Sequence, residues 1–359
     1  MQIIHVVPGG DRNRLLEGII NDTNSDVGAL TIYGPDTNLS EYCAYIGKHY
    51  YSLGFHKKSL IRQGVSLFRF LWLRKPDVIY LHSFYPSLLS IFLIPLRSRI
   101  AIIPVRHHNR VFHLSRNRKG ILIDKVVNSF ANHLVAVSDS VKSTMVWEGC
   151  DPQKIAVIYN GMDFVSRRPS VGNSGDENKL VQLIAIGRLD WQKDYVTMLN
   201  AMKQLKDQGL NFFLSILGSG SEENLQLLRE IVFSLDLTRE VRLVGWQSNV
   251  SEWLEKSDIF VHTAIDEACP LVLIEALISG IPIVSSNAGG CKDVIGKYYI
   301  GVNPGDPQGF AEGIFQVMED LPAAREYAIS IAVDASQRFG TSQMRAGYRA
   351  DSIQQLGTT

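Results

Sequence analysis

Short apolar runs alternate with longer stretches of helical apolar spacing along most of the chain. The runs have the length of buried strands, and the periodic stretches have the length of helices. We predict strands at residues 3–7, 29–33, 78–82, 100–105, 134–137 and 155–159, and a second series at residues 183–186, 212–217, 241–244, 259–262 and 281–285. This alternation is typical of parallel sheets covered by helices on both faces, and it predicts an α/β protein.

Residues 166–179 separate the two series and indicate a domain boundary. The segment is rich in Ser, Gly, Pro, Asn and charge, a composition typical of linkers. We predict an N-terminal domain of residues 1–165 and a C-terminal domain of residues 166–341. A final helix is expected at about residues 342–359, where Thr341 or Ser342 can cap its first turn. Two domains agree with a length of 359 residues.

The composition favours an intracellular globular protein. Hydrophobic residues make up 45% of the chain and charged residues 20%, enough for a core in each half. The four cysteines have no C-x-x-C spacing, so neither a disulfide framework nor a zinc site is indicated. The N-terminus lacks signal-peptide features, and the most apolar run, residues 88–96, is shorter than the ~20 residues that cross a bilayer. We therefore expect a cytoplasmic location.

The net charge is zero, but the two halves differ in charge. Residues 1–165 hold 19 Lys and Arg against 12 Asp and Glu, which leaves 17 against 24 in the remainder. The basic residues of one segment alternate with apolar side chains: Lys57, Lys58, Arg62, Arg69, Arg74 and Lys75. This spacing predicts a basic, partly amphipathic helix. The helix can bind anionic lipid or an anionic acceptor, or it can simply pack its apolar side on a sheet.

In the second half, two cations and a glycine follow the first strand. The sequence GRLDWQKD places Gly187 at the strand exit, with Arg188 and Lys193 on the loop before a helix. Arg and Lys near a helix N-terminus suit a diphosphate, although ordinary surface cations are the alternative. The next strand ends in LGSGS, where Gly218 and Ser219 allow close approach to a ligand or form a plain turn.

Residues 262–290 contain a helix with clear start and stop signals. Pro270 precedes it and Gly280 follows it, and its body LVLIEALIS is apolar except for Glu275. Helical spacing puts Glu275 on the same face as the first backbone N–H groups, which have no partners inside the helix. Glu275 can then accept hydrogen bonds from ribose, and Glu267 on the preceding loop can accept from a sugar. An exposed helix carboxylate is the alternative for Glu275.

The first half carries less distinct candidates. Gly9 and Gly10 form the first strand-to-helix turn, which suits an acceptor loop or close packing. His107 and His108 come directly after a strand, where ligands of α/β sheets bind. A structural or solvated role is the alternative for either histidine.

Five segments together resemble one enzyme family. They are AVSDSVK (136–142), VIYNGMDF (157–164), IGRLDWQKD (186–194), LGSGS (217–221) and EACPLVLIE (267–275). The combination is similar to the retaining glycosyltransferases of family 4, whose GT-B fold has two facing Rossmann-like domains with parallel sheets and a cleft between them. The resemblance implies that the final helix packs back on the first domain.

The resemblance also implies roles for individual residues. Arg188 and Lys193 match the diphosphate-binding cations, Glu275 the ribose-binding glutamate and Glu267 the glutamate near the donor sugar. His107, or alternatively His108, matches a histidine facing that sugar. The expected catalytic residues are His107, Glu267, Arg188 and Lys193. The expected donor-binding residues are Gly9, Gly10, Gly187, Arg188, Lys193, Gly218, Ser219, Trp246, Glu267, Ala268, Cys269, Pro270, Leu271, Val272 and Glu275.

The implied reaction moves a sugar, with retention of configuration, from a UDP- or GDP-sugar to a hydroxyl of a glycan or lipid-linked acceptor in surface polysaccharide or lipopolysaccharide synthesis. The chain has no D-x-D sequence, so we expect no metal requirement. We also expect no cofactor and no nucleic acid partner. Peripheral contact with the inner face of the plasma membrane is also expected. The chain departs from the family pattern at two places. EACP stands where the family usually has EGxP, and Asp293 lies near the position where the family often has a glutamate, which it can replace.

Other functions are compatible with parts of this pattern. A sugar-nucleotide epimerase or a phosphorylase can share the fold, and a noncatalytic partner subunit can retain it. A dinucleotide-dependent dehydrogenase requires G-x-G-x-x-G after a strand, and that sequence is absent.

Overall fold

The computed structural model describes residues 1–9, 14–34, 37–56, 59–163, 180–296 and 299–357. The chain forms two compact units, which we call the first unit (Met1–Met162 with Phe339–Thr359) and the second unit (Asp163–Arg338). The predicted linker at residues 166–179, and with it the predicted boundary after residue 165, lies outside the described residues.

The first unit is built on a parallel sheet of seven strands in the order β3-β2-β1-β4-β5-β6-β7. Its strands are β1 Gln2–Val7, β2 Asp26–Tyr33, β3 His49–Phe55, β4 Val78–His82, β5 Ala101–Arg106, β6 Leu134–Ala136 and β7 Ile155–Val157. Its helices before the second unit are α1 Arg14–Ile20, α2 Thr37–Tyr45, α3 Leu60–Arg74, α4 Phe84–Leu89, α5 Val111–Leu114, α6 Arg118–Phe130 and α7 Asp139–Trp147.

The second unit is built on a parallel sheet of six strands in the order β10-β9-β8-β11-β12-β13. Its strands are β8 Val181–Ile186, β9 Phe212–Leu217, β10 Val241–Gly245, β11 Ile259–His262, β12 Ile283–Ser286 and β13 Ile300–Val302. Its helices are α8 Tyr195–Asp207, α9 Glu222–Ser234, α10 Val250–Glu255, α11 Leu271–Ser279, α12 Gly290–Ile295, α13 Pro307–Glu319 and α14 Leu321–Arg338. The two parallel sheets confirm the predicted α/β class.

The chain returns to the first unit in its last helix, α15 Thr341–Gly357. Tyr80 on β4 fixes this helix, because its buried hydroxyl donates to Asp351 Oδ2 at 2.8 Å and lies 2.9 Å from Ser352 Oγ. The ring of Tyr348 packs edge-on against His5 and Tyr80. Buried polar groups that are fully paired in this way specify one docking position for the helix.

Each sheet has a core on its buried faces. In the first unit, Ile4 of β1 and Ile79 of β4 pack with Leu67 of α3. In the second unit, Leu183 and Val261 pack with helix residues such as Met198. Full burial of each such side chain contributes about 1.5–3 kcal/mol. None of the described helices is long and apolar enough to cross a membrane.

Two strands were not predicted from the sequence. The edge strand β3 has only partly buried or exposed side chains, so it forms no continuous apolar run. The other, β13, is a three-residue edge strand. The strand order reverses between β1 and β4 in the first sheet and between β8 and β11 in the second. The candidate site residues lie near these two points. Ligands of open α/β sheets bind at the carboxyl ends of the strands at such points.

Candidate functional site

The loop after β8 holds Lys193 in a defined position. Asp190 accepts a hydrogen bond from the amide of Gln192 and starts a 3₁₀ turn at Trp191–Lys193. Asp194 then adopts a left-handed conformation, with φ 49°, and accepts from the amide of Thr197 at 3.2 Å. It thereby caps α8, since a side-chain acceptor satisfies an amide that the first turn leaves unpaired. Lys193 is consequently only 12% exposed.

Lys193 forms an ion pair with Glu267 from the loop after β11. The two loops are also tied through the backbone: Thr263 Oγ1 donates to the carbonyl of Lys193 at 2.9 Å, and the amide of Ile265 donates to the carbonyl of Gln192 at 2.8 Å. Residues 74 positions apart in the sequence therefore meet at the β8–β11 switch point. A lysine and a carboxylate lie together where a ligand is expected.

His262, the last residue of β11, adds an uncharged group to this cluster. Its Nε2 lies 3.7 Å from Glu267 Oε1. Burial, and then the charge of Lys193, holds the pKa of His262 well below its ordinary value. The cluster thus contains a cation, a carboxylate and a neutral imidazole.

The N-terminus of α11 follows this loop. Pro270 occupies the N-cap position, and its side chain makes no capping hydrogen bond. The backbone amides of Leu271 and Val272 are in the first turn and have no acceptor within the helix. Glu275 is only 4% exposed, which excludes the alternative of a solvent-exposed helix carboxylate.

Glycines bring the strand-exit loops close together. A Cβ on Gly290 would lie 1.8 Å from the carbonyl oxygen of Ala268, and the Gly290 amide donates to the carbonyl of Glu267 at 2.7 Å. A Cβ on Gly218 would lie 1.7 Å from the carbonyl oxygen of Gly187. Gly290 and Gly218 therefore have a packing reason for lacking a side chain, whatever ligand they meet. A Cβ on Gly187 would meet only side-chain atoms, the nearest being Lys193 Cε at 3.0 Å.

Other predicted donor-site residues differ in exposure and in local partners. Arg188 is 73% exposed and pairs with Asp190 at 3.1 Å. Trp246 follows the edge strand β10 and is 70% exposed. Ser219 accepts the Leu189 amide through its carbonyl at 2.8 Å, a contact that holds the loop. Cys269 is buried beside the start of α11.

In the first unit, His107 is the end of a chain of three imidazoles. His5 Nδ1 lies 2.8 Å from His82 Nε2, and His82 Nδ1 lies 2.9 Å from His107 Nε2. Burial, and then His108, lowers the pKa of His107 to about 4, while burial lowers that of His5 to about 3 and that of His82 well below its ordinary value. Sequence reasoning missed His5 and His82, although His82 ends a predicted strand.

His108 has a different environment from His107. Its Nε2 lies 2.8 Å from Asp124 Oδ2, and Asp124 also pairs with Arg106 at 3.3 Å. His108 is thus held in an ionic network, whereas the Nε2 of His107 is held by another neutral ring. This contrast favours His107 over His108 as the residue that meets a ligand.

The first strand-to-helix turn is only partly described. Gly9 has φ 106°, and a Cβ there would lie 2.6 Å from the carbonyl oxygen of Tyr33, so close packing requires a glycine. Gly10 lies outside the described residues. Across the described part of the chain, no group of three or more His, Cys, Asp or Glu side chains is arranged to hold a metal ion.

Known proteins share both the sequence pattern and the fold. The model of glycosyl transferases group 1 matches residues 168–332, and that of Glycosyltransferase Family 4 matches residues 29–165. The UDP-Gal:alpha-D-GlcNAc-diphosphoundecaprenol alpha-1,3-galactosyltransferase of Escherichia coli is 26% identical over 320 residues, 84% of this chain and 80% of that protein. The lipopolysaccharide 1,6-galactosyltransferase of Escherichia coli K12 is 31% identical over 195 residues, 50% of each chain.

A solved structure matches over almost the whole length. The crystal structure of Anabaena HepE in complex with UDP and glucose has a TM-score of 0.80 at 18% identity and covers 99% of each chain. The two family models together match most of the sequence. The chain therefore belongs to the GT-B glycosyltransferases in which a glycosyl transferases group 1 segment follows a Glycosyltransferase Family 4 segment.

Proposed function

We propose that the chain is a retaining glycosyltransferase that transfers a hexose from a UDP-sugar to a hydroxyl of a lipid-linked or glycan acceptor in surface polysaccharide synthesis. The observation that carries the proposal is the cluster of Lys193, Glu267 and the uncapped start of α11 at one sheet switch point. UDP is chosen over GDP because the Escherichia coli relative that covers most of the chain is named for a UDP-sugar.

The donor diphosphate is the group that the second unit suits best. Departure of UDP places negative charge on the β-phosphate, and preorganised donors stabilise such charge in the transition state. Lys193 supplies a compact cation, and the amides of Leu271 and Val272 supply a helix N-terminus. Arg188 is exposed and can add a two-pronged contact when its side chain turns to the phosphate.

The sugar and the ribose are assigned to carboxylates. Glu275 lies on the first turns of α11, so we assign it to the ribose hydroxyls. Glu267, on the preceding loop, is assigned to the hydroxyls of the donor sugar. On the first unit, His107 is the residue that we assign to a sugar substrate, and the imidazole chain behind it fixes its ring.

Retention and metal independence are parts of the same proposal. Lys193, Arg188 and the α11 amides provide positive charge at the diphosphate without a metal. Retention is supported by the resemblance to retaining enzymes and not by an enzymic nucleophile. We expect turnover to persist in EDTA. We also expect the anomeric proton of the transferred sugar to have the same NMR coupling constant in the product as in the donor. Loss of activity in EDTA that Mg²⁺ restores would overturn metal independence.

The first unit, which we assign to the acceptor, is proposed to contact the membrane surface. The helix α3 buries Leu67 and Leu71 but leaves Ile61, Trp72 and Leu73 exposed. Arg62, Arg69 and Arg74 interrupt these apolar residues, and the guanidinium of Arg99 lies 5.0 Å from the Trp72 ring centre. Basic, partly apolar helix faces bind anionic lipid surfaces. Lys57 and Lys58 of the predicted basic segment lie outside the described residues.

Vesicle pelleting tests the membrane contact. Vesicles with phosphatidylglycerol should bind the protein, and the triple variant Arg62→Gln, Arg69→Gln, Arg74→Gln should bind them less. The control, Arg229→Gln, changes an exposed arginine of the second unit and should bind like the wild type. Equal binding of the triple variant and the wild type, or no binding of either, would remove this part of the proposal.

The main experiment is a donor screen. UDP, GDP, ADP and their sugars are tested for a rise in melting temperature, because a ligand that binds only the native state stabilises it. The expected result is stabilisation by UDP and a UDP-hexose, followed by transfer to a diphospholipid-linked sugar. Stabilisation by none of these nucleotides and nucleotide sugars would contradict the proposed function. Conversion of the donor without any acceptor would favour the epimerase instead.

A further inference from the structure

His262 is a buried histidine that the proposed reaction does not yet use. It ends β11, is 3% exposed, and stacks on Phe260 with 6.1 Å between ring centres. Its Nε2 is fully buried and has no hydrogen-bond partner among the described residues. A buried polar group without a partner is destabilising, so native proteins seldom keep one without a reason.

The unpartnered atom lies next to a carboxylate that is already engaged. Glu267 Oε1 binds Lys193 Nζ, and His262 Nε2 lies 3.7 Å from that same oxygen. This distance is about 0.8 Å longer than a normal N–H···O hydrogen bond of about 2.9 Å, so the bond forms only when the Glu267 carboxylate moves by that amount toward Nε2. Two nitrogen donors therefore converge on one oxygen, and only one of them is bonded to it.

His262 can donate a hydrogen bond although its imidazole carries no charge. Burial, and then Lys193, keeps its pKa well below the ordinary value, so the ring is neutral and holds one N–H. The tautomer with hydrogen on Nε2 directs that N–H toward Glu267. The side chain of Glu267 is 18% exposed and that of His262 only 3%, so Glu267 is the more accessible of the two to a ligand.

We infer that His262 is a positioning residue that donates a hydrogen bond to the Glu267 carboxylate when Lys193 moves toward the donor diphosphate. The inference rests on the proposed function. The ammonium of Lys193 has three N–H donors but one charge, so its movement toward a phosphate weakens its ion pair with Glu267. A carboxylate that lies beside a diphosphate then needs a further donor. The hydrogen bond from His262 supplies it and keeps Glu267 oriented toward the donor sugar. His262 itself contacts neither the sugar nor the phosphate.

Two substitutions separate this role from simple packing. His262→Leu keeps an apolar side chain of similar volume without an N–H, whereas His262→Gln keeps an N–H at a position close to that of Nε2. Both proteins are first checked for wild-type circular dichroism. UDP affinity, measured by calorimetry, should fall about tenfold in His262→Leu, the expected effect of losing one hydrogen bond to a charged group, and should be largely restored in His262→Gln.

The coupling to Glu267 is measured in a double-mutant cycle. In a Glu267→Gln background, His262→Leu should cause a much smaller loss of UDP affinity, because a neutral amide replaces the charged carboxylate that accepts the His262 hydrogen bond. In wild-type protein with ¹⁵N-labelled histidine, the Nε2 resonance of His262 should shift on addition of UDP. This measurement requires no substitution, so it decides the question even if His262→Leu does not fold.

The outcomes distinguish the inference from the function on which it rests. Wild-type protein that binds UDP, with His262→Leu binding it equally well, would overturn the inference alone. An undiminished effect of His262→Leu in the Glu267→Gln background, or an Nε2 resonance that UDP leaves unchanged, would do the same. Failure of wild-type protein to bind UDP or any other tested donor would overturn the proposed function, and the inference with it.

Discussion

Replacing Lys193 by methionine removes the one cation that the Lys193–Glu267 cluster contains and keeps the length of the side chain. Lys193 is 12% exposed and Glu267 is 18% exposed, so their ion pair is largely screened from water. The change also leaves Glu267 with His262 Nε2 at 3.7 Å as the neighbouring nitrogen. We therefore expect some loss of stability in addition to a loss of function.

The size of the functional loss follows from the role of a charged donor. A hydrogen bond to a charged group contributes about 1.5–3 kcal/mol, so UDP affinity should fall about 10- to 100-fold. Removing a group that stabilises developing charge lowers kcat by about 10²–10³. If Lys193 acts mainly on the leaving diphosphate, kcat falls more than KM rises.

The assay is release of UDP from a UDP-hexose with a lipid-linked acceptor, together with calorimetric titration of UDP. The matched control is Lys203→Met, since Lys203 is a lysine of the same unit that pairs with Asp207 on the surface of α8. This control should behave like the wild type. Unchanged kcat/KM and UDP affinity in folded Lys193→Met protein would refute the assignment of Lys193 to the diphosphate.

Three further predictions test other parts of the account. Glu275→Gln should weaken UDP binding about tenfold, measured by calorimetry, because an NH₂ group, which cannot accept from a ribose hydroxyl, replaces one oxygen of a buried, charged acceptor; wild-type affinity would contradict the ribose assignment. Lowering the pH from 6.5 to about 4 should destabilise the first unit, by up to ~3 kcal/mol from His107 alone, because the unfolded chain binds a proton that native His107, with its pKa lowered to about 4, does not. Urea unfolding should show a shallower pH dependence for His107→Gln, and an equal slope would contradict the lowered pKa. Gly290→Ala should cost about 3 kcal/mol or more in thermal unfolding, because the new Cβ would lie 1.8 Å from the Ala268 carbonyl oxygen; Gly301→Ala, whose nearest contact would be 3.6 Å, is the control, and equal melting of the two would refute the packing argument.

The helix α11 was the most predictable part of the site. Pro270 and Gly280 mark its ends, and the structure places them directly before and after Leu271–Ser279. Gly280 adopts φ 73°, the left-handed conformation that favours glycine at a helix end. Local sequence is sufficient here because the signals that start and stop a helix lie within a few residues of its ends.

The contacts between distant strands could not be read from the sequence. Lys193 meets Glu267 because β8 and β11 are neighbours, and His107 meets His82 because β4 and β5 are neighbours. Strand exits identify candidate residues, but strand order decides which of them touch. His5 was missed for this reason, since nothing near β1 in the sequence links it to His82.

Side-chain direction was a second limit. Arg188 and Lys193 were given the same role from the sequence, yet the first is 73% exposed and the second 12% exposed. The difference comes from the 3₁₀ turn and from Asp190, which attracts Arg188 to the surface. A pattern of residue types cannot distinguish two cations that the loop turns in different directions.

A crystal structure of the protein with UDP tests most directly whether Lys193 and the start of α11 hold the donor diphosphate. We expect the diphosphate within hydrogen-bond distance of Lys193 Nζ and of the amides of Leu271 and Val272, with the ribose hydroxyls at Glu275. UDP bound elsewhere on the chain, or bound with its phosphates directed away from the start of α11, would refute this assignment.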